Sequence, residues 1–172
     1  MSVRTATPKA EAGTSFPTRN DLPADARAKL ISLLNQQLAD TFDLMSQTKF
    51  AHWNVKGPNF IALHKLFDRL AGKLAEHVDT IAERATALGG VAMGTARQAA
   101  AMSHTPEFPT GTFKGQEVVA ALADRYAAVG RSTREAIDRA DELHDQDTMD
   151  LLVDVSRDLD QSLYFLEAHL QG

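Results

Sequence analysis

The sequence predicts an all-α protein built as a bundle of four long helices. Apolar residues recur at helical spacing in four long stretches, no stretch alternates as a strand would, and one connection is much longer than the others. A chain of 172 residues fits one domain with a sizeable core. We therefore divide it into a flexible N-terminal arm, residues 1–20, and a helical bundle, residues 21–172.

The first long helix is predicted to begin after Asp21, which can cap it, with Pro23 just inside. It continues for about 30 residues until the pair Gly57-Pro58 stops it. The residues of its apolar face recur at helical spacing: Leu30, Leu34, Leu38, Met45 and His52.

The second helix is predicted from about Asn59 to Leu88, ending at Gly89-Gly90. Its predicted core stripe is Leu63, Phe67, Leu70, Leu74, Val78, Ile81, Ala85 and Leu88. The connection that follows, from Gly89 to Gly115, contains a short helix-capable piece around residues 96–102. Such a long link indicates a crossover between distant helix ends.

The third helix is predicted from about Gln116 to Leu143 and the fourth from about Asp147 to Leu170, with Asp147 as a possible N-cap. The short joint between them makes an antiparallel pair. Four long helices with one long crossover between the second and third are typical of a ferritin-like four-helix bundle.

Composition removes several classes of function. The chain has no cysteine, so disulfides, zinc–thiolate sites and cysteine nucleophiles are excluded. Its start lacks an apolar signal core, and no apolar run is long enough for a membrane span, so we expect a cytoplasmic protein. The formal charge of −5 opposes general attraction to nucleic acid, so any DNA contact needs a local basic patch.

Five potential metal ligands, His52, His64, Asp68, Asp79 and Glu83, are separated by gaps of twelve, four, eleven and four residues. On one helix, His64 pairs with Glu83 and Asp68 with Asp79 about a common midpoint, so an antiparallel copy would bring each pair together. Asp68 and Asp79 point within about 20° of each other but lie about 16 Å apart along the axis, too far for one ion. Each half-site is therefore incomplete within one chain.

The same face carries the small residues Ala71, Gly72 and Ala75 between the half-sites. Small residues let a second backbone approach closely, and a glycine in mid-helix needs a packing reason. A twofold homodimer would supply that reason and build two identical sites. The alternative is an ordinary solvated face that happens to carry acids.

Several motifs together resemble the Dps family, the DNA-protecting mini-ferritins of bacteria. They are HWNVKGPNFIALHKLFD (52–68), DTIAER (79–84), LGGVAMGT (88–95), LADRY (122–126) and SRDLDQSLYFLEAHL (156–170). The resemblance implies a hollow dodecamer with ferroxidase sites at its twofold interfaces. It also implies that Fe(II) is oxidised, preferentially by hydrogen peroxide, and that the ferric iron is stored, with protection of DNA in the nucleoid.

In this resemblance iron is bound by His52, His64 and Asp68 of one subunit and by Asp79 and Glu83 of the next. The chain lacks the Glu-x-x-His motif of a di-iron centre within one bundle. Trp53 would lie near the iron, where it either donates an electron or packs. Lys49 either pairs with Asp79 of the neighbour or is a plain surface lysine.

Two further predictions follow from the resemblance. Acidic residues at the joint of the last two helices would line threefold pores, with Asp145 and Asp150 as our candidates; a solvated acidic turn is the alternative. The arm offers Arg4, Lys9 and Arg19 against Glu11 for a DNA contact, and a solubilising tail is the alternative.

Three hypotheses therefore remain open from the sequence. The first is a peroxide-consuming ferroxidase and iron-storage cage, the second a DNA-binding architectural protein with little iron chemistry, and the third a bundle with a structural metal or none. The five intact ligand positions and their symmetry favour the first.

Overall fold

A computed structural model describes residues 15–171, and they form five helices. These are α1 (Ala24–Asn54), α2 (Phe60–Ala87), α3 (Ala96–Met102), α4 (Gly115–Glu142) and α5 (Gln146–Glu167). The all-α bundle and the short extra helix in the crossover are both confirmed. Within the described range there is no strand, only one isolated bridge between Lys56 and Lys114. None of the helices described is long and apolar enough to cross a bilayer.

The bundle has two ends, and the crossover runs from one to the other. We call the end with the α1–α2 turn and the start of α4 the loop end; Lys56 N donates to Phe113 O at 2.8 Å there. The opposite end, with the α4–α5 joint and the end of α2, is the joint end; Arg84 of α2 binds Asp145 there. The crossover therefore connects opposite ends, and α4 runs parallel to α2, as the long connection predicted.

The core consists of the predicted apolar faces. Leu30, Leu34 and Leu38 of α1 are fully buried, and every residue of the stripe predicted for α2 is buried except Val78, which is partly buried. Removing this surface from water is the main stabilising contribution, at about 25 cal/mol per Å² of apolar area. The 3.6-residue period was thus sufficient to find the core-facing side of both helices.

Polar residues of α1 hold the crossover in place, a feature that the apolar pattern did not indicate. Asn35 donates to Val91 O at 3.0 Å and accepts from Met93 N at 2.7 Å. One and a half turns later, Asp40 accepts from His104 N at 2.6 Å. These buried side chains satisfy backbone groups that a loop on the bundle surface would otherwise leave unpaired.

The N-terminal predictions need two corrections. Pro23, not Asp21, is the N-cap of α1, and no side chain caps this helix, so the expectation for Asp21 was wrong. Residues 15–20 are also not free of the bundle, because Phe16 N donates to Gly89 O at 2.7 Å. Gly89 has a φ of +89°, and a Cβ there would lie 2.6 Å from Phe16 O, so glycine is required at this close approach.

Candidate metal centre

Two histidines from neighbouring helices form the most ordered part of the site. His52 at the end of α1 donates from Nδ1 to His64 O at 2.7 Å, and His64 near the start of α2 donates from Nδ1 to His52 O at 2.9 Å. A carbonyl can only accept, so each Nδ1 carries a proton, and in the neutral ring the Nε2 lone pair is left for a metal. The rings stack with centroids 3.8 Å apart, which fixes both orientations. This is the tautomer that a metal-binding histidine needs.

Asp68 lies beside the histidine pair, one turn after His64. Its Oδ1 is 3.9 Å from His52 Nε2 and 2.7 Å from Lys49 Nζ. The hydrogen bond and the charge of Lys49 hold the pKa of Asp68 below its usual range, so the carboxylate is ionised. Lys49 therefore pairs with Asp68 of its own chain, and its pairing with Asp79 of a neighbour stays a prediction.

Asp79 and Glu83 lie further along the same face of α2. Both are exposed, and neither carboxylate makes an ion pair within residues 15–171. Helical rise separates Asp79 from Asp68 by about 16 Å. No group of three histidines or acids in the described part of the chain is close enough to hold a metal ion. A single chain thus presents two half-sites, one with His52, His64 and Asp68 and one with Asp79 and Glu83, and does not bring them together.

The small residues between the half-sites are divided between two faces. Gly72 and Ala75 are exposed, and a Cβ on Gly72 would meet nothing within 4 Å. Ala71 is only 2% exposed and packs in the core, so its assignment to the outer face was wrong. The exposed face of α2 between the half-sites is therefore open and flat at Gly72, with room for another backbone.

Trp53 follows His52 and is 63% exposed. The Nζ of Lys49 lies 6.0 Å from the centre of its ring. Within one chain this tryptophan does not pack in the core, so the packing alternative requires a surface from another molecule.

Asp145 and Asp150 at the α4–α5 joint have different environments. Asp150 is exposed, whereas Asp145 is 4% exposed and binds Arg84 through both oxygens, at 2.7 and 2.9 Å. Asp145 also caps α5 by accepting from Thr148 N, so the expectation that Asp147 is the cap was wrong. Burial acts to raise the pKa of Asp145, but the hydrogen bonds from Arg84 and Thr148 outweigh it and the pKa is lowered.

These contacts correct the pore prediction for Asp145, because its carboxylate is already bound inside the chain. The sequence did not predict that Arg84 is the ion-pair partner of Asp145, although Arg84 belongs to the motif DTIAER. Of the residues suggested for DNA, Arg19 is exposed, and Arg4 and Lys9 lie outside the described residues.

Comparison with known proteins agrees with this geometry. The family model of the ferritin-like domain matches residues 31–172. A DNA protection during starvation protein of Agrobacterium fabrum is 46% identical over 154 residues, covering 90% of this chain and 95% of that protein. Among solved structures, DpsC from Streptomyces coelicolor has a TM-score of 0.88 at 34% identity, covering 92% of this chain and 93% of that chain.

A further structure, a Dps protein from Vibrio cholerae described as a member of a superfamily of ferritin-like diiron-carboxylate proteins, has a TM-score of 0.82. It is 26% identical and covers 87% of this chain and 94% of that chain. The fold and the domain match define the class as ferritin-like. Within that class, the identity to the Agrobacterium fabrum protein over nearly the whole length shows that the chain belongs to the Dps family.

Proposed function

We propose that this protein is a ferroxidase and iron-storage cage that protects DNA, with each ferroxidase site shared between two subunits. The observation that carries the proposal is the reciprocal hydrogen bonding of His52 and His64. It leaves Nε2 of each neutral ring for a metal, beside an ionised and exposed Asp68. Imidazole and carboxylate donors suit Fe(II), and few protein ligands leave positions open for an oxidant.

The chemistry that this donor set supports is oxidation of Fe(II) as substrate. Two ferrous ions give one electron each to a hydrogen peroxide, whose O–O bond breaks, and two protons complete two water molecules. The carboxylates stabilise the higher charge of Fe(III). Hydrogen peroxide is our proposed oxidant, because its two-electron reduction by two ferrous ions releases no hydroxyl radical and so protects DNA.

A second subunit would complete the site. The exposed carboxylates of Asp79 and Glu83 and the open surface at Gly72 fit an antiparallel α2 from a twofold partner. In that pairing, His52, His64 and Asp68 of one subunit face Asp79 and Glu83 of the other. We propose the dodecamer as the full assembly, which native mass measurement tests directly.

Complementation between subunits tests the shared site. One variant, His64→Ala with Asp68→Ala, loses the first half-site, and the other, Asp79→Ala with Glu83→Ala, loses the second; all four residues lie outside the core. Alone, each should oxidise Fe(II) at least about 100-fold more slowly than wild type. Co-assembled at random, they should recover about a quarter of the wild-type rate, since half the pairs are mixed and each mixed pair has one intact site.

The control is a mixture of the two variants purified separately without subunit exchange, which should stay inactive. An inactive co-assembly of correct mass would rule out a site shared in this way. An undiminished rate of Fe(II) oxidation in either variant alone would show that these residues are not the ferroxidase site. No fast oxidation by the wild type would instead support an architectural DNA-binding protein or a bundle with a structural metal.

Iron entry is the second part of the proposal. Asp150 is exposed at the α4–α5 joint and remains our candidate for drawing Fe(II) toward a pore. Asp150→Asn should slow iron uptake at low ferrous concentration and leave the rate at saturating iron unchanged. If the variant takes up iron as fast as the wild type at low as well as at saturating ferrous concentration, this would count against the channel.

A further inference from the structure

A cleft of about 360 Å³ opens at the loop end, between the turn after α1 and the start of α4. Residues 56–59 form one wall and residues 114–116 the other, so each wall contributes one lysine, Lys56 or Lys114. No carboxylate lines the cleft. It is therefore a small basic depression on a chain whose net charge is −5.

The positive charge of both lysines is available to a ligand. Lys56 makes no ion pair within residues 15–171, and its Nζ lies 5.8 Å from the ring centre of Phe60. Lys114 has only a 3.5 Å contact with Glu117, between two exposed side chains, and such contacts contribute little. Neither ammonium group is therefore held in a strong ion pair, and both can bind a phosphate.

The backbone fixes the spacing of the two walls. Lys56 N donates to Phe113 O at 2.8 Å, and Gly115 N donates to Lys56 O at 3.1 Å. The two lysines are thus carried on segments bonded directly to each other. Because α2 and α4 both begin at the cleft without a side-chain cap, their first amides add to the positive potential of the lysines.

We propose that this cleft binds a phosphate of the DNA backbone, and that it is the main DNA contact of the protein. The inference rests on the DNA-protecting part of the proposed function. We infer that the cleft, and not the N-terminal arm, is the principal contact, because the two ends of the bundle differ in charge. The described chain begins at the joint end, where Phe16 bonds Gly89. That end carries four exposed acids, Asp141, Glu142, Asp147 and Asp150, of which Glu142 contacts Arg139 at 3.3 Å. DNA at the joint end would meet these carboxylates, whereas DNA at the loop end would meet the lysine cleft.

The chemistry of the cleft defines the mode of binding. Lysine ammonium groups act as point charges toward phosphate and read no base edges, so recognition is independent of sequence. One cleft binds weakly, but repetition over the subunits of a cage multiplies the affinity through effective concentration. Release of counterions makes this binding strongly dependent on salt.

The test uses the assembled protein and compares two variants that each remove two positive charges per subunit. Lys56→Gln with Lys114→Gln empties the cleft of charge, and Arg4→Gln with Lys9→Gln is the matched control in the arm. Binding to a duplex of random sequence is measured by anisotropy over a salt series at neutral pH. We expect the cleft variant to bind at least about tenfold more weakly, with a log–log salt slope smaller by about one per engaged subunit, because each cleft contacts one phosphate. The arm variant should change by less than about threefold.

A competition experiment separates DNA phosphate from free phosphate. At equal ionic strength, inorganic phosphate should displace DNA from the wild type better than chloride does, and this advantage should vanish in the cleft variant. Phosphate binding by the cleft together with unchanged DNA binding in the cleft variant would overturn the inference.

Other results also overturn it: a cleft variant that binds DNA like the wild type, a loss confined to the arm variant, or no DNA binding by the wild type at low salt. Fe(II) oxidation is measured on the same samples and should be unchanged in the cleft variant. A wild type that oxidises Fe(II) but does not bind DNA would refute the proposal for the cleft and leave the ferroxidase proposal standing. A wild type that does not oxidise Fe(II) would refute the ferroxidase proposal.

Discussion

The two halves of the candidate metal centre differ in how far the single chain organises them. His52 and His64 are held by two mutual hydrogen bonds and by ring stacking, and Asp68 is held by Lys49. Asp79 and Glu83 project from α2 with no ion pair in the described part of the chain. The first half-site is thus preorganised before iron arrives, and the second depends on what the partner presents.

This difference follows from the positions of the residues in the bundle. The histidine half-site lies where α1 ends and α2 begins, so two helices can brace each other's side chains. The carboxylate half-site lies on a single helix, where Asp79 and Glu83 are exposed in the structure of residues 15–171. A shared site of this kind combines a rigid donor set with one that can adjust as the charge of the iron changes.

The largest effect should come from blocking the surface between the half-sites. Gly72→Leu adds a side chain where nothing lies within 4 Å, so the single chain should fold and gain up to about 1 kcal/mol of helix stability. An antiparallel partner helix would be pushed away, so assembly and iron oxidation should both be lost. Native mass and thermal unfolding are the measurements, with Thr80→Leu, another exposed position of α2, as the control. A Gly72→Leu particle of wild-type mass and activity would mean that α2 does not pack at Gly72.

The next comparison separates catalysis from stability. His52→Ala and Asp79→Ala should each lower the rate of Fe(II) oxidation at least about 100-fold, because each removes a ligand. Only His52→Ala should destabilise the fold, by about 2 kcal/mol, since His52 is buried and hydrogen-bonded while Asp79 is exposed. Denaturant unfolding of assembled protein measures the difference. Equal stability of the two variants would show that the histidine half-site is not preorganised by the fold.

The sequence was sufficient to predict the long helices and the split site because both depend on regular spacing along one helix. The periods of α1 and α2 located the core, and the gaps around Asp68 and Asp79 showed that one chain could not close the site. The sequence did not predict the contacts of Lys49, Arg84 or Asp145, because these join residues 19 or 61 positions apart. Which charged residues of two helices pair with each other depends on how the helices pack. The spacing of residues along one helix does not show this packing.

An ion pair next to the carboxylate half-site, between Arg84 and Asp145, fixes the end of α2, and low pH should weaken this ion pair. Arg84 follows Glu83 and binds Asp145, which fixes the end of α2 to the start of α5. Asp145→Asn should cost about 3 kcal/mol at pH 7, because it leaves the Arg84 charge partly buried without its partner.

The pH dependence of that cost has a definite sign. The pKa of Asp145 is lowered in the folded state, so its stabilisation is complete above the unfolded value of about 3.9 and is lost as the pH falls through the folded-state pKa. Unfolding free energies from pH 7 to 3 should therefore show the gap between the wild type and Asp145→Asn narrowing below about pH 4. A constant gap would mean that the ion pair is not its source. Asp147→Asn is the control, since Asp147 is exposed.

The smallest effect concerns the ammonium group of Lys49, which binds the carboxylate of Asp68 in the histidine half-site. Lys49 occupies Oδ1 of Asp68 at 2.7 Å, so Fe(II) must displace an ammonium before that oxygen can bind it. Lys49→Met keeps the length of the side chain and removes the charge, so the apparent affinity for Co(II), a spectroscopic substitute for Fe(II), should rise about two- to fivefold. Lys65→Met, which removes an exposed lysine from the same region of α2, should leave the affinity unchanged. If both variants bind Co(II) like the wild type, Lys49 leaves Asp68 without cost, and the rigidity of this half-site comes from the two histidines alone.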